Sequence, residues 1–498
     1  MSIRYLASET SRLYKFATGG EHIIELLWGD HLTVMASGVD GGRHKVHARG
    51  RTGYVDAADV GDESLLELYF IDVGQGDGVL IRTPDNRHIM IDGGFKRASQ
   101  PTGKNAADFV DWKFFKDYGM DAIHLDAMIA SHNDADHYGG LSDLLDVEQE
   151  AELDAQSVTV EKFYHAGVAW WKKEGGGRWL GESTDDRKYL TQLMGDRDAV
   201  LAALQTNADA ALQGEWATLM KRVIATTTST GAPTPVIRLS RETGALPGFE
   251  PGNSDVAITI LAPVEFTIQG QPALHNFGSS ESHSTNGNSV LLRLDYGDTR
   301  VLLTGDLNSY SQRALLADYA DDHSVFACDV AKACHHGSDD VHYKFLATMK
   351  PAVTVISSGD TERHDHPRPS IVAASAISGH VEIVGDKLLS PLVYSTELAR
   401  SLDLGKVSEL TLSSDNGAVT LQGDKLVNAS VEAKVRQAGD LNPSSVTKNL
   451  KDAYIVTGLT YGLVNIRTDG KRILCATLNE GKKTWQVKEL KSRFSPEE

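Results

Sequence analysis

The chain has 498 residues, more than one ordinary domain needs, so two or three domains are expected. Its formal net charge of −19 disfavours broad electrostatic adhesion to nucleic acid but is compatible with a local basic groove. No apolar run is long enough to span a bilayer, the first residues lack a signal-peptide core, and three cysteines make no disulfide framework. These features predict a cytoplasmic protein with reduced thiols and no membrane association, of unknown oligomeric state.

Residues 1–62 read as short alternating strands separated by glycine turns, the pattern of a small β-barrel. Gly29 and Asp30 are followed by Val34, and positions 50–55 read Gly-Arg-Thr-Gly-Tyr-Val. This spacing resembles bacterial SH3-like modules, which bind a protein partner or stiffen a neighbouring domain. We assign no chemistry to this region.

The most informative segment follows the apolar residues 127–130 and reads SHNDADHYGG from position 131 to 140. Four potential metal ligands fall within its six-residue window, namely His132, Asp134, Asp136 and His137. Carboxylates this close repel one another unless a cation lies between them. The alternative is a polar strand-to-helix loop in which Asp136 caps the helix.

Residues 145–250 look like an insertion, with helical periodicity from Arg187 to Ile224. Aromatic and basic side chains precede it beside a glycine run at 175–177; those predicted to bind substrate are Trp171, Lys172, Lys173 and Arg178. Together they could form a nucleotide-stacking lid. The favoured alternative is helix packing with a mobile surface loop.

Three later β-rich runs also end in ionisable groups, in the same polarity as the first. They are 302–306, which ends in Asp306; 330–334, which leads to His335 and His336; and 353–359, which leads towards His364 and His366. Ligands at strand ends indicate a site positioned by a rigid sheet. From about residue 405 hairpin signals return, which predicts a β-rich C-terminal domain over 405–498.

These motifs, in this order, resemble the metallo-β-lactamase fold, and most closely its ComEC-type branch, the nuclease-like domain of bacterial DNA-uptake proteins. The matching strings are FIDVGQGD (70–77), IMIDGG (89–94), SHNDADHYGG (131–140), ITILAP (258–263), NSVLL (288–292), LLTGD (302–306), HHGS (335–338) and His-Pro (366–367). The commoner motif of the fold is HxHxDH, and here Asp134 replaces its middle histidine. The resemblance implies an α+β protein with a four-layered αββα sandwich over 65–398.

The resemblance also implies two divalent ions, Zn or Mn, and a ligand set. It places His132 and Asp134 on one ion, Asp136 and His137 on the other, and Asp306 between them. His336 completes the set, with His335 as the alternative, because the sequence does not say which of the pair faces inward. The oxygen ligand from Asp134 makes Mn²⁺ a better candidate relative to Zn²⁺, but it does not settle which of the two ions binds.

The implied chemistry begins with a shared water whose pKa two ions would lower, giving a bridging hydroxide near neutral pH. Asp136 belongs to this catalytic group, and protonation of the leaving group falls to His335, Lys332 or His366. Asn288 either hydrogen-bonds the substrate or fixes the strand of Asp306.

Other polar residues receive supporting roles in the same interpretation. Asp72, Asp77 and Asp92 are expected to orient ligands or to cap turns. A further histidine found in many members of the fold has two candidates here, His275 and His283, and each fits a loop residue better than a ligand.

The implied function is a soluble, metal-dependent phosphodiesterase, foremost a nuclease that takes DNA or RNA as its substrate. One rival is an esterase of small phosphodiesters or phosphocholine, which the acidic charge keeps open. The other is a non-catalytic metal-binding scaffold, which the complete ligand set disfavours. A role in DNA uptake is doubtful for a chain without membrane helices.

Overall fold

The computed structural model describes residues 2–99, 105–148, 153–155, 157–205, 210–278, 280–359, 366–396, 403–414, 417–435, 444–450, 454–457, 463–479 and 484–496. Over these residues two main β-sheets share one apolar core, and each carries helices on its other face. This arrangement matches the αββα sandwich predicted for 65–398.

The N-terminal unit is one antiparallel sheet of seven strands in the order β3-β2-β6-β5-β4-β1-β7. Its strands are β1 (Ser2–Leu6), β2 (Thr10–Tyr14), β3 (His22–Leu27), β4 (His31–Asp40), β5 (Arg43–Ala48), β6 (Arg51–Asp56) and β7 (Val60–Gly61). Leu13, Leu26, Leu32 and Val46 are fully buried between them. The predicted strand-and-turn pattern is therefore present, and the SH3-like assignment stays a prediction.

The next elements alternate strands and helices. They are β8 (Leu66–Phe70), β9 (Val79–Arg82), β10 (His88–Ile91), α1 (Ala106–Trp112) with a π-helical continuation (Lys113–Tyr118), β11 (Ile123–Leu125), β12 (Ala127–Ala130), α2 (Ala135–Leu144), β13 (Val158–Val160) and β14 (Phe163–His165). Strands β8, β9, β10, β12 and β14 are buried along their whole length, as expected for strands covered on both faces.

The central part of the chain is more irregular. It contains β15 (Trp171–Lys172), β16 (Arg178–Trp179), β17 (Tyr189–Leu190), α3 (Arg197–Ala203), α4 (Gly214–Ala225), β18 (Val236–Arg238), β19 (Ala257–Ala262), β20 (Glu265–Ile268), β21 (Gln271–His275), α5 (Glu281–Gly287), β22 (Leu291–Tyr296) and β23 (Thr299–Leu303). The predicted insertion, 145–250, is not separate from the fold, because β14 and β18 within it extend the first sheet in parallel.

The second sheet is completed by the elements that follow. They are α6 (Ser309–Asp318), β24 (Val330–Lys332), α7 (Tyr343–Met349), β25 (Val353–Ile356), α8 (Pro369–Ser378), β26 (Glu382–Val384), β27 (Lys387–Ser390) and β28 (Leu392–Ser395). Its order is β19-β22-β23-β24-β25-β28, and β23, β24, β25 and β28 run parallel. Helices α6, α7 and α8 pack Leu315, Phe345 and Ile371 against the outer face.

The last elements divide into two groups. They are β29 (Asp403–Lys406), β30 (Glu409–Ser414), β31 (Gly417–Gln422), α9 (Asp424–Val427), β32 (Ser430–Val435), β33 (Ser444–Asn449), β34 (Tyr454–Thr457), β35 (Val464–Thr468), β36 (Arg472–Asn479) and β37 (Thr484–Lys491). Strands β29 to β34 form three two-stranded pairs apart from the main sheets.

Strands β35 to β37 belong to the first sheet, whose order is β18-β14-β12-β10-β9-β8-β35-β36-β37. Val464 pairs with Phe70 and Thr468 pairs with Leu66. This corrects the predicted C-terminal domain of 405–498, because its last three strands complete the first sheet. Within the described residues, no helix is long and apolar enough to cross a membrane.

Candidate metal centre

The predicted ligands of the first motif lie where β12 gives way to α2. Helix α2 begins at Ala135, so Asp136 lies inside the first turn and does not cap the helix. Asp134 holds the N-cap position, but its side chain makes no capping hydrogen bond. Its carboxylate instead accepts a hydrogen bond from Thr285 Oγ1 at 3.1 Å, which leaves it facing α5 and the centre.

Two glycines of the motif allow helix α2 to lie directly on the loop after β10. A Cβ on Gly139 would overlap the backbone nitrogen of Lys96, and a Cβ on Gly140 would overlap the carbonyl oxygen of Gly93. These glycines therefore permit a close backbone approach, and they do not form the sharp exit from a turn that a Gly-Gly pair can provide.

His137 is fully buried and held at both ring nitrogens. Its Nδ1 lies 2.8 Å from Asp92 Oδ2, and its Nε2 lies 3.1 Å from Asp306 Oδ2. Asp92 is itself fixed by the backbone N–H and the hydroxyl of Ser131, at 2.8 and 2.6 Å. Burial opposes protonation of His137, but Asp306 and Asp92 outweigh it and raise the pKa well above its ordinary value.

His336 repeats this arrangement from the second sheet. Its Nδ1 lies 3.2 Å from both Asp77 Oδ1 and the carbonyl oxygen of Ser357. Its Nε2 lies 3.0 Å from Asp306 Oδ2. Burial is again outweighed by Asp306 and Asp77, which raise the pKa of His336 to about 10. A carboxylate on Nδ1 that leaves Nε2 facing the centre is the usual support of a metal-binding histidine.

The resulting cluster fits a cation. One potential ligand atom from each of Asp77, His137, Asp306 and His336 lies within 4.8 Å of the others. The Nε2 atoms of His137 and His336 are only 3.2 Å apart. Two protonated imidazoles at that distance repel each other, and a divalent cation that displaced both Nε2 protons to solvent would bind the freed lone pairs and remove that repulsion.

A second group of ligand-type side chains adjoins this cluster. The His132 ring centroid lies 4.0 Å from that of His137, and His132 Nε2 lies 3.7 Å from Asp134 Oδ2. His132 Nε2 is buried without a hydrogen-bond partner among the described residues. Burial, with Asp136 next, raises the pKa of Asp134 to about 7. An unpartnered imidazole nitrogen beside a destabilised carboxylate also fits a metal ion.

The structure thus brings all six predicted ligands together. Asp136 completes the set, because its Oδ2 lies 3.7 Å from His336 Nε2 and 3.2 Å from Gln75 Nε2. The number and identity of the ions stay predictions.

The HHGS turn resolves which of the two histidines lies deeper. His335 and His336 both have positive backbone φ values, 48° and 52°, which residues other than glycine rarely adopt. The turn directs both towards Asp306, with His336 buried and His335 a quarter exposed at the mouth. His335 Nε2 lies 3.8 Å from Asp306 Oδ2 and 3.3 Å from the amide nitrogen of Asn286. The His366 ring centroid lies 5.8 Å from that of His335.

Lys332 is placed differently from the other two candidate proton donors. It is buried, forms an ion pair with Asp77, and donates to the carbonyl oxygen of Gly305 at 2.8 Å. Burial would raise the pKa of Asp77, but Lys332 and His336 outweigh it and lower that pKa to about 2. The proton of Lys332 is therefore held by its ion pair. Burial lowers the pKa of His335, and the choice of the leaving-group acid stays a prediction.

Two of the predicted substrate contacts are buried. The Asn288 amide donates to the carbonyl oxygens of His275 and Ser284, both at 2.8 Å, so it joins α5 to β21. Trp171 is only 4% exposed and packs in the core below the first sheet. Both side chains are therefore buried in this structure, and substrate binding by either stays a prediction.

The rest of the predicted lid has one direct link to the centre. Trp170 Nε1 donates to the carbonyl oxygen of Asn133, inside the metal motif, at 2.8 Å. The Arg178 guanidinium lies 3.9 Å from the Trp170 ring centroid, while Lys172 and Lys173 are exposed. The insertion therefore contacts the motif through Trp170, and both the lid and its alternative, with substrate binding by the basic side chains, stay predictions.

Sequence reasoning anticipates part of the support around the ligands and misses the rest. For Asp77 it predicts ligand orientation or a turn cap, and Asp77 does contact His336 Nδ1 while also offering an oxygen to the cluster of four potential ligand atoms. Thr285 and Asn286, which contact Asp134 and His335, carry no motif signal. The one available signal is position, since 285 and 286 lie three and two residues before the start of the matched string 288–292.

The two candidates for a further histidine lie apart from the ligands. His275 ends strand β21 and packs among the rings of Tyr189, Phe266 and Phe277, so it is not the loop residue that was expected. His283 lies on α5, with its ring against Tyr310.

Comparison with protein families agrees with the motif resemblance. The model of the metallo-beta-lactamase superfamily matches residues 71–358. ComE operon protein 3 of Bacillus subtilis (strain 168) is 28% identical over 90 residues, which is 18% of this chain and 11% of that protein. Competence protein ComA of Neisseria gonorrhoeae is 31% identical over 121 residues, 24% of this chain and 16% of that protein. The chain thus matches less than a fifth of either relative's length.

Among solved structures, a crystal structure described as a metal-dependent hydrolase of the beta-lactamase superfamily is similar over 66% of this chain and 95% of that one. Its sequence identity is 14% and its TM-score is 0.30, a score too low to bear on the argument.

Proposed function

Because the chain belongs to the metallo-β-lactamase superfamily of metal-dependent hydrolases, we propose that it hydrolyses phosphodiester bonds and that its substrate is a polynucleotide. The observation that carries the proposal is the convergence on Asp306 of two imidazoles whose Nδ1 atoms are already held by carboxylates. This arrangement suits metal binding, and it leaves an open mouth at His335.

The residues that would hold divalent ions are His132, Asp134, Asp136, His137, Asp306 and His336. Bound metal supplies Lewis-acid activation of water and charge stabilisation at the phosphoryl group. Three of these residues offer carboxylate oxygen and three offer imidazole nitrogen, a mixture that suits Mn²⁺ as well as Zn²⁺.

The protein's own residues prepare this site before any substrate binds. Asp92 and Asp77 hold the Nδ1 atoms of His137 and His336, which fixes both ring orientations. The buried ammonium group of Lys332 forms an ion pair with Asp77 and balances its negative charge. His335 sits at the mouth, where it is placed to move a proton to the leaving oxygen.

The choice of a polynucleotide is supported by the ComEC-type motifs and by the competence protein among the relatives. The net charge of −19 favours the second candidate, an esterase of small phosphodiesters, because it disfavours a long polyanion. The two differ in how many phosphates the protein contacts.

A metal-by-substrate screen tests the proposal. Purified protein is loaded with Mn²⁺, Zn²⁺ or Mg²⁺ and offered single- and double-stranded DNA, RNA and a chromogenic phosphodiester. We expect metal-dependent cleavage that Asp136→Ala removes. A fully metallated protein that cleaves none of these substrates would contradict the proposal and favour the scaffold.

A further inference from the structure

A pair of rings joins α5, whose residues Thr285 and Asn286 contact the metal centre, to the first turn of α6, and it has no part in holding the ligands. His283 of α5 and Tyr310 of α6 have ring centroids 4.9 Å apart, with their planes at 39°. Tyr310 is 47% exposed, so it presents an aromatic surface to solvent. Exposed aromatic rings beside a reactive centre are well suited to stack on a ligand.

Helix α5 ties His283 to the centre. Thr285 Oγ1 donates to Asp134, and the Asn286 amide lies 3.3 Å from His335 Nε2. His283 precedes Asn286 by three residues, so the two side chains are neighbours on one face of the helix. His283 is therefore the helical neighbour of Asn286, the residue of α5 that contacts His335.

Helix α6 ties Tyr310 to the same centre from the other side. Tyr310 follows Asp306 by four residues, which limits their Cα separation to about 14 Å. Asn308 Nδ2 donates to the carbonyl oxygen of His283 at 2.9 Å, and its side chain caps α6 by accepting from the backbone N–H of Ser311. The ring pair is thus held in place by hydrogen bonds of both helices.

We propose that Tyr310, supported by His283, is a stacking platform for a nucleobase next to the scissile phosphate. The proposal rests on the proposed function and names the substrate class of that site, a single-stranded polynucleotide or a nucleotide ester. Stacking suits this chain, because it adds affinity without the broad basic surface that a net charge of −19 disfavours. Trp170 and Trp171 of the insertion cannot serve instead, because each is only 4% exposed.

The test compares binding of two single-stranded oligonucleotides, one with bases and one with the same backbone but abasic throughout. Fluorescence polarisation is measured on chelator-treated protein, so that cleavage does not interfere. Tyr310→Ala should weaken binding of the base-bearing strand roughly tenfold, within the range found for loss of one base–aromatic stack. Tyr310→Phe keeps the ring and should stay within about twofold of the wild type.

Controls separate stacking from general damage. Phe16→Ala removes another half-exposed ring, in the N-terminal unit, and should leave both affinities unchanged. No variant should alter binding of the abasic strand. A wild type that binds both strands equally, or a Tyr310→Ala effect of equal size on both, would overturn the platform.

The outcome for the platform is separable from that for the proposed function. Metal-dependent cleavage of a chromogenic diester by a protein indifferent to bases would keep the phosphodiesterase and reject the platform. Base-dependent binding that Tyr310→Ala weakens, with no cleavage of any diester by the metallated protein, would keep Tyr310 as a nucleobase-stacking site and reject the enzyme.

Discussion

Two buried ionic networks in this protein differ in whether their charges are balanced by the chain itself. The first joins the N-terminal sheet to β35. Arg467 is fully buried and lies 2.8 Å from Asp30, which Arg49 also contacts at 2.7 Å. Glu67 pairs with Arg82 at 2.7 Å. Burial is outweighed by Arg49 and Arg467, which hold the pKa of Asp30 below its ordinary value.

The second network is the metal centre, where the chain leaves charges uncompensated. The pKa of Asp134 is raised to about 7 by burial and by Asp136, and no arginine pairs with it in the described residues. His132 Nε2 has no hydrogen-bond partner there either. Buried ions that pair fully with each other indicate a structural role, whereas a centre that leaves a destabilised carboxylate beside an imidazole nitrogen without a hydrogen-bond partner indicates a cation site.

Removing the shared carboxylate should have the largest effect. In Asp306→Ala, His137 and His336 lose the anion between them, so we expect loss of at least one bound ion and of hydrolysis. Elemental analysis and a chromogenic diester assay measure both. Retention of two ions by this variant would show that Asp306 does not bridge.

Breaking the balanced network should cost stability instead of activity. Arg467→Ala leaves Asp30 and Glu67 buried without their shared cation, for a destabilisation of about 3–5 kcal/mol. Chemical denaturation measures it. The matched control is Arg4→Ala, whose ion pair with Asp62 is exposed and should be worth under about 1 kcal/mol. Equal destabilisation in the two variants would contradict the distinction.

Replacing Asp92 tests how much metal affinity depends on the carboxylate that holds the predicted ligand His137. Asp92→Asn keeps the side chain's shape but removes the negative charge that faces His137 Nδ1. Metal affinity should therefore fall about 10- to 100-fold. Calorimetric titration with Mn²⁺ measures the change. Asp72→Asn is the control, because Asp72 accepts a hydrogen bond from the backbone N–H of Gly74 in a nearby turn. An unchanged affinity in Asp92→Asn would remove Asp92 from the centre.

A neutral buried histidine should make the fold acid-sensitive without involving metal. Burial lowers the pKa of His165 to about 3, although a hydrogen bond to the carbonyl oxygen of Gly195 opposes it. The unfolded chain takes up this proton near pH 6.5 and the folded one does not, so stability falls as pH drops below about 6.5. The decrease at pH 5 is up to about 2 kcal/mol.

Chemical denaturation at pH 7 and pH 5, in the presence of chelator, reads out this dependence. His165→Gln should lower stability at pH 7 but flatten its fall towards pH 5. The exposed His22→Gln should leave the slope unchanged. A slope as steep in His165→Gln as in the wild type would assign the acid sensitivity elsewhere.

The smallest effect concerns the insertion. Lys172→Ala with Lys173→Ala should weaken polynucleotide binding and lower the salt slope by about one for each phosphate that the variant no longer binds. Hydrolysis of a small diester should be unchanged, because neither lysine touches the centre. Arg178→Ala is measured separately, since Arg178 packs on Trp170 and so bears on the metal motif. Equal effects on both substrates would end the strand-binding hypothesis.

The candidate site is largely predictable because its ligands sit in short, contiguous motifs. From the sequence, Asp77 and Asp72 of one motif have the same two expected roles, and only the structure separates them: Asp77 contacts His336 Nδ1, whereas Asp72 accepts a hydrogen bond in a turn. Thr285 and Asn286 reach the centre only through the path of α5, which composition does not reveal.

The sheets are less predictable than the site. Alternating residues show that strands exist near 464–491, but pairing with Phe70 is set by tertiary packing across nearly 400 residues of chain. Periodicity likewise finds helical character in the insertion, and it gives no sign that Trp171 is buried.

The placement of β35 to β37 bears on the order in which the protein can form during synthesis. Strand β8 pairs on one side with β9, which follows it closely, and on the other with β35, which leaves the ribosome nearly 400 residues later. Until then β8 presents an open edge of unpaired backbone groups, and Asp30 and Glu67 lack Arg467. The first sheet therefore closes through contacts of long sequence separation, and a nascent chain that stalled before residue 464 would expose a template for aggregation.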